Sequence, residues 1–247
     1  MKIKSIAFFC FIFPPSKIKN YILKLFGWKI ANDVYIGFSY ILTSKVDLYD
    51  NTRIGHFNFI NSPYLKMKSK AYIQNLNRIT GPIYIVLNDS AAIGNMNTIK
   101  RANPPISWGK SVLKIGFGSK ITSKHTIDCT RPIYIGEHSI LAGESSQLWT
   151  HGYIHNSTGK DRFRIDGSIK IGNNVYIGSA TVINPGICIS DAITIGSHAT
   201  IAKSLQKPGL YANQSLRHIP LDYDEAYKKY TKVRSKKIIE KIVHKKC

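Results

Sequence analysis

Imidazole and carboxylate side chains are the groups of this chain that can move a proton at neutral pH. The chain has eight histidines, and an imidazole titrates close enough to neutrality to take a proton from a hydroxyl group. His151, in the run Trp149-Thr150-His151, stands immediately before a polar segment, 152–168, GYIHNSTGKDRFRIDGS. His155 lies inside that segment and is the second candidate base. A base needs a group that orients its ring. Glu144, seven residues before His151, is one candidate, and Asp128, farther upstream, is another. Residue type alone leaves each of these groups a structural or surface role as well. His56, His125, His138 and His198 read as corner or strand-face residues. The four cysteines, Cys10, Cys129, Cys188 and Cys247, show no metal-ligand spacing. They form no disulfide framework and fit a reducing compartment.

The element that must position these groups is a repeat. An aliphatic residue recurs at Ile171, Ile177, Ile183, Ile189, Ile195 and Ile201, one every sixth position, and Gly172, Gly178 and Gly196 follow three of them. Neither a helix period of about 3.6 nor a strand period of about 2 produces that spacing. Short parallel strands joined by corners do, in a three-sided β-solenoid built from hexapeptide repeats. Three hexads make one coil of 18 residues. Ile36-Gly37 and Ile54-Gly55 are 18 apart, as are Ile177-Gly178 and Ile195-Gly196, whereas Ile73, Ile93, Ile115 and Ile135 fall 19 to 22 apart. The reading is an all-β solenoid of about nine coils over 33–205, with 152–168 thrown out as a loop.

Two appendages flank it. Residues 1–32 hold an apolar run, Ile6–Phe13, and then a basic amphipathic stretch with Ile18, Tyr21, Ile22, Leu25 and Phe26 on one helical face. Pro14-Pro15 stands where a cleavage site would be needed for secretion, and eight apolar residues are far fewer than the roughly 20 that span a bilayer. The segment is expected to cap the first coil or to rest on an anionic membrane. Residues 206–247 are expected to close the solenoid and form a basic helix. A formal charge of +21 asks for anionic partners, and no nucleic-acid-binding motif accompanies it.

Three stretches together resemble a known family. IGNNVYIGSATVINPGICISDAITIGSHATIAKSL is similar to the closing coils of the hexapeptide-repeat acyltransferases, and IGEHSILAGESSQLWTHGYIH to the active-site coil of the branch that acetylates sugars. PGLYANQSLRHI resembles their exit motif, of Val-Ala-Gly-Asn-Pro-Ala-Arg type, although Asn213, Gln214 and Ser215 depart from it. Within the branch, the basic amphipathic entry is most like the surface-polysaccharide O-acetyltransferases. The resemblance implies a left-handed parallel β-helix with short N- and C-terminal helices, a homotrimer, and acetyl-CoA as acyl donor with no metal. It implies His151 as general base on a sugar hydroxyl of a surface glycan or its precursor, with Trp149, Glu144 and His155 around it. Ser179, Ala180 and Ala202 would leave room for the pantetheine arm, and Lys203 and Arg217 would meet phosphates. The expected location is cytoplasmic, at the inner face of the membrane. Two other classes share the fold. One is a zinc enzyme like the γ-class carbonic anhydrases, using His125, His151 and His155; the other is a non-catalytic polyanion-binding scaffold.

Overall fold

The computed structural model describes residues 2–158, 161–212, 222–233 and 241–245. Nearly every strand pair in it is parallel, and the chain winds as a left-handed parallel β-helix of triangular section. One face is a ladder of nine strands, from Tyr35–Ile36 to Gly209–Tyr211. The second begins with the leading half of Tyr40–Leu48 and ends at Thr200–Ile201. The third begins at Lys29–Ile30 and ends at Cys188–Ile189. Tyr40–Leu48 and Phe59–Met67 each turn one corner without a break, which joins the second and third faces at their base.

The short strands explain the hexad. In Arg53–Ile54, Tyr176–Ile177 and Thr200–Ile201 the first residue is exposed and the second is buried. The repeated isoleucines therefore stack down the axis as one continuous core. Two of the three corners turn tightly on a residue with positive φ: Phe57, Leu76, Met96, Lys124 and Ala180 on one, and Asn51, Lys70, Ser90, His138 and Asn174 on the other. Inside the first of these corners runs a polar ladder. The amide groups of Asn58, Asn77 and Asn97 bond coil to coil, and His125 takes the next rung, its backbone N–H donating to Asn97 and its Nδ1 accepting from the Ser146 N–H. Its Nε2 lies 2.9 Å from the Thr122 hydroxyl. Burial pushes the His125 imidazole down to about 4, so it stays neutral. His125 is a structural rung on a different edge from His151, which removes it from a three-histidine zinc set.

The third corner is where insertions leave, and it differs from the sequence reading in two places. The step from Ile93 to Ile115 does not stay on one face. Ile93 pairs with Ile121, and Ile115 pairs with Leu87, because residues 101–110 form a loop that the spacing had spread over several small insertions. The segment 152–168 is not wholly a loop either. His151–His155 and Arg162–Asp166 pair as an antiparallel hairpin.

The C-terminal segment completes that hairpin. Of the basic helix expected over 206–247, the described residues contain one six-residue α-helix, Tyr223–Lys228. Lys241–His244 then pairs in parallel with Arg162–Asp166, and Thr231–Lys232 pairs with it from the other side. The last part of the segment expected to be helical, Lys241–His244, is thus strand, and it buries Val243 against Phe163.

At the other end, α1 (Lys2–Ile12) and α2 (Lys17–Leu25) close the first coil. Ser16 caps α2, accepting from the Lys19 N–H. The fully buried Lys19 ammonium reaches the carbonyls of Cys10, Phe13, Ile36 and Gly37 at 2.6–3.1 Å, fastening both helices to the solenoid. Leu23 and Trp28 enter the core. The predicted apolar face of α2 points the other way: Ile18, Tyr21 and Leu25 are 64%, 63% and 69% exposed.

Candidate active site

The insertion edge gathers the proton-transfer groups. Ladder register carries Lys100 to Asp128, and Ile127 to Leu148, so Asp128 and the Trp149-Thr150-His151 run lie on adjacent coils of one edge. There the chain leaves the solenoid into the hairpin, and His151 is the hairpin's first residue. Asp128 is 3% exposed, and its Oδ2 lies 2.9 Å from His151 Nδ1. The hydroxyls of Thr150 and Thr130 approach the same carboxylate at 2.7 and 2.9 Å. Burial alone would raise the Asp128 carboxyl. The hydrogen bond and charge of His151, together with the two hydroxyls, outweigh it and hold the group below the usual carboxylate range. Asp128 is thus an ionised, buried acceptor that fixes the imidazole by its Nδ1.

Nε2 is the ring nitrogen left for chemistry. His151 lines a cleft of about 320 Å³ together with Trp149, Tyr153, Asn184, Pro185 and Ala202. The Trp149 and Tyr153 rings stand nearly perpendicular to the imidazole, with centroids 6.2 and 6.1 Å away. Two residues from the far end of the chain, Tyr230 and Lys245, also line it. Sequence spacing gave no sign of them, since a strand addition brings Lys245 alongside Gly186.

The remaining candidates divide by edge. Ala202 lines the His151 cleft, and the exposed Lys203 follows it. Ser179 and Ala180 sit on the neighbouring corner, where the Ala180 N–H donates to the Glu144 carbonyl. Glu144 lies on that same corner, and its exposed carboxylate pairs with Lys124 at 2.7 Å. It therefore does not orient His151, and Asp128 takes the role that spacing had left open between them. His155 is exposed at the end of the hairpin strand, opposite Arg162. Arg217, with Asn213, Gln214 and Ser215, lies outside the described residues.

The hairpin is held from behind. Asp166, the ladder partner of His151, is fully buried. It accepts from Arg164 Nε at 2.7 Å and from the Trp108 indole at 2.6 Å. Trp108 belongs to the 101–110 loop, and the Arg131 guanidinium lies 3.8 Å from its ring centroid.

No family model matches the chain. The galactoside O-acetyltransferase of Escherichia coli (strain K12) is 32% identical over 104 residues, 41% of this chain and 51% of that protein. The match therefore spans about half the length of that relative. The chain resembles a sugar O-acetyltransferase. Among solved structures, the polySia-specific acetyltransferase NeuO is 14% identical, with 82% of this chain and 87% of that one covered and a TM-score of 0.44. AntD, an N-acyltransferase from Bacillus cereus, is 14% identical over 85% and 91%, at 0.37. A maltose O-acetyltransferase from Clostridium difficile 630 is 14% identical over 86% and 80%, at 0.30.

Proposed function

We propose that this protein is an acetyl-CoA-dependent O-acetyltransferase acting on a sugar hydroxyl of a surface glycan or its precursor. The observation that carries the reading is the His151–Asp128 pair at the mouth of the cleft. His151 Nε2 takes the proton of the acceptor hydroxyl as its oxygen attacks the acyl carbon, then returns it to the departing sulfur. Asp128 holds the ring in the tautomer with its proton on Nδ1 and stabilises the imidazolium while it lasts. Trp149 and Tyr153 wall the imidazole on two sides. Bound acetyl-CoA would supply the acyl group already activated as a thioester, so no covalent enzyme intermediate is needed. The small side chain of Ala202 leaves the cleft open towards the closing coils, and Lys203 beyond it would meet a phosphate.

The reading includes a homotrimer. Ser179–Ala180 and His151–Ala202 occupy different edges of one solenoid, so edges of two neighbouring subunits are needed for a common donor groove. It also includes attachment to the inner face of the cytoplasmic membrane through α2, for which no spanning helix is required. Among the described residues none is long and apolar enough to cross a bilayer.

The deciding experiment is His151→Ala in a thioester-cleavage assay with acetyl-CoA and a panel of glycans. Transfer should fall at least about a hundredfold, the low end for loss of a general base, with CoA affinity unchanged. Wild-type turnover in the variant would defeat the histidine mechanism. Glycan binding by a wild-type protein that never turns over would return the scaffold reading.

A further inference from the structure

The larger cavity on the insertion edge is not the His151 cleft. It is a groove of about 1140 Å³ across the first four coils, above the roughly 300–1,000 Å³ of small-ligand sites. Leu42 and Ser44 line its first coil, Asn61 the second, Thr80 and Pro82 the third, and Asn103 the fourth. The ladder places these positions in one column with the reacting groups. Leu42 faces Asn61, Asn61 faces Thr80, Thr80 faces Lys100, and Lys100 faces Asp128, one coil before Trp149. Five strand spacings separate Leu42 from Trp149, which makes groove and cleft a track of about 24 Å at about 4.8 Å per coil.

The loop 101–110 leaves the edge between groove and cleft, and its Asn103 lines the end of the groove. Its Trp108 leans towards the hairpin's return strand, held by Asp166 and Arg131. On the other side Lys100 is exposed, with its ammonium 5.5 Å from the centroid of the half-exposed Trp149 ring. The floor is rigid: Arg101, 6% exposed, donates to the carbonyls of Pro82, Trp108 and Gly109 at 2.8 Å each. The lining alternates amide and hydroxyl groups with Leu42 and Pro82, a mixture that suits the hydroxyl rims and C–H faces of sugar rings. Its charged members among the described residues, Lys4 and Arg101, are both cations.

We infer that this track binds an extended acceptor chain, several sugars long, with the reacting residue at His151 and the remainder over the first four coils. The inference rests on the acetyl-transfer reading for its register but has its own test. Acceptors are p-nitrophenyl β-galactoside and two ladders of two, four and six residues, neutral β-1,4-galacto-oligosaccharides and acidic oligogalacturonides. In at least one ladder kcat/KM should rise tenfold or more from two to six residues, and Asn61→Trp or Thr80→Trp should abolish the rise. Saturation-transfer NMR with the same ladders reads binding without turnover. Length-dependent binding that Asn61→Trp removes, with no acetyl transfer, keeps the groove and overturns only the transferase reading. Transfer or binding that is flat with length in both ladders, or a rise that survives both tryptophan variants, overturns the groove. Binding to neither ladder does so too.

Discussion

Asp128 Oδ2 and His151 Nδ1 lie 2.9 Å apart across 23 residues of chain, because one turn of the solenoid brings them to adjacent coils of the same edge. The pair is also asymmetric in its exposure. The carboxylate is enclosed by Thr130 and Thr150, whereas the imidazole is partly open to the cleft. Asp128→Asn keeps the volume and one acceptor but removes the charge that favours the imidazolium. It should lower kcat by up to about 10⁴-fold, the loss seen when the carboxylate that fixes a general-base histidine's tautomer becomes an amide, with little change in the Michaelis constant for acetyl-CoA. Steady-state kinetics with both substrates varied checks this.

The same carboxylate predicts an acid-dependent term in stability. Its pKa in the folded chain is held below the unfolded value of about 3.9. Its contribution is therefore present above that value and is lost as pH falls through the folded one. Urea unfolding at neutral pH and near pH 3.5 should show a larger loss for the wild type than for Asp128→Asn. Equal losses would mean that folding leaves the Asp128 pKa unshifted.

What was legible in the sequence follows from how each interaction is encoded. The solenoid was readable because every coil repeats one inward isoleucine, so Ile177, Ile183 and Ile189 announce a period. His151 stood out as a candidate base only through its likeness to an active-site coil. The choice between Asp128 and Glu144 was not readable, because it depends on which corner each occupies, and the 101–110 loop blurred the count of corners before them. Tyr230 and Lys245 were invisible for another reason. Lys245 follows the strand Lys241–His244, which pairs with a segment some 80 residues earlier, as the Lys241–Asp161 contact shows, and Tyr230 precedes the short strand added beside it; Ile242 and Val243 fit a helical stripe as well as a strand.

That strand should be separable from the solenoid. Deleting 231–247 removes the partner of Arg162–Asp166 and exposes Phe163, while the isoleucine core is untouched. Activity should fall at least tenfold, with Trp108 emission shifting to the red as its surroundings at Asp166 and His244 loosen. The main thermal transition should move little. Full activity in the truncated chain would show that the hairpin holds His151 unaided.

Lys203 tests the donor side of the edge. It follows Ala202, two coils beyond Trp149, and is exposed. Lys203→Ala should raise the Michaelis constant for acetyl-CoA severalfold and spare kcat, the pattern of lost uniform binding. A fall in kcat alone would place the residue nearer the reacting atoms than its coil allows.

The N-terminal helices supply the last prediction. Residues 1–32 contain six lysines and no acid, and the apolar stripe of α2 faces away from the solenoid that α2 closes. A helix with an outward apolar stripe and flanking cations binds an anionic lipid surface through both terms, of which only the electrostatic one is screened by salt. Removing 1–28 is a poor test, because it also removes Lys19, Leu23 and Trp28 and opens the core. Ile18→Glu with Leu25→Glu changes only exposed positions and should leave the thermal transition within a few degrees. On vesicles of anionic lipid the wild type should bind, and bind less as salt rises, while the double variant binds at least fivefold less. Equal binding by the two proteins would show that α2 is a cap alone, and that the exposed stripe serves something other than a membrane.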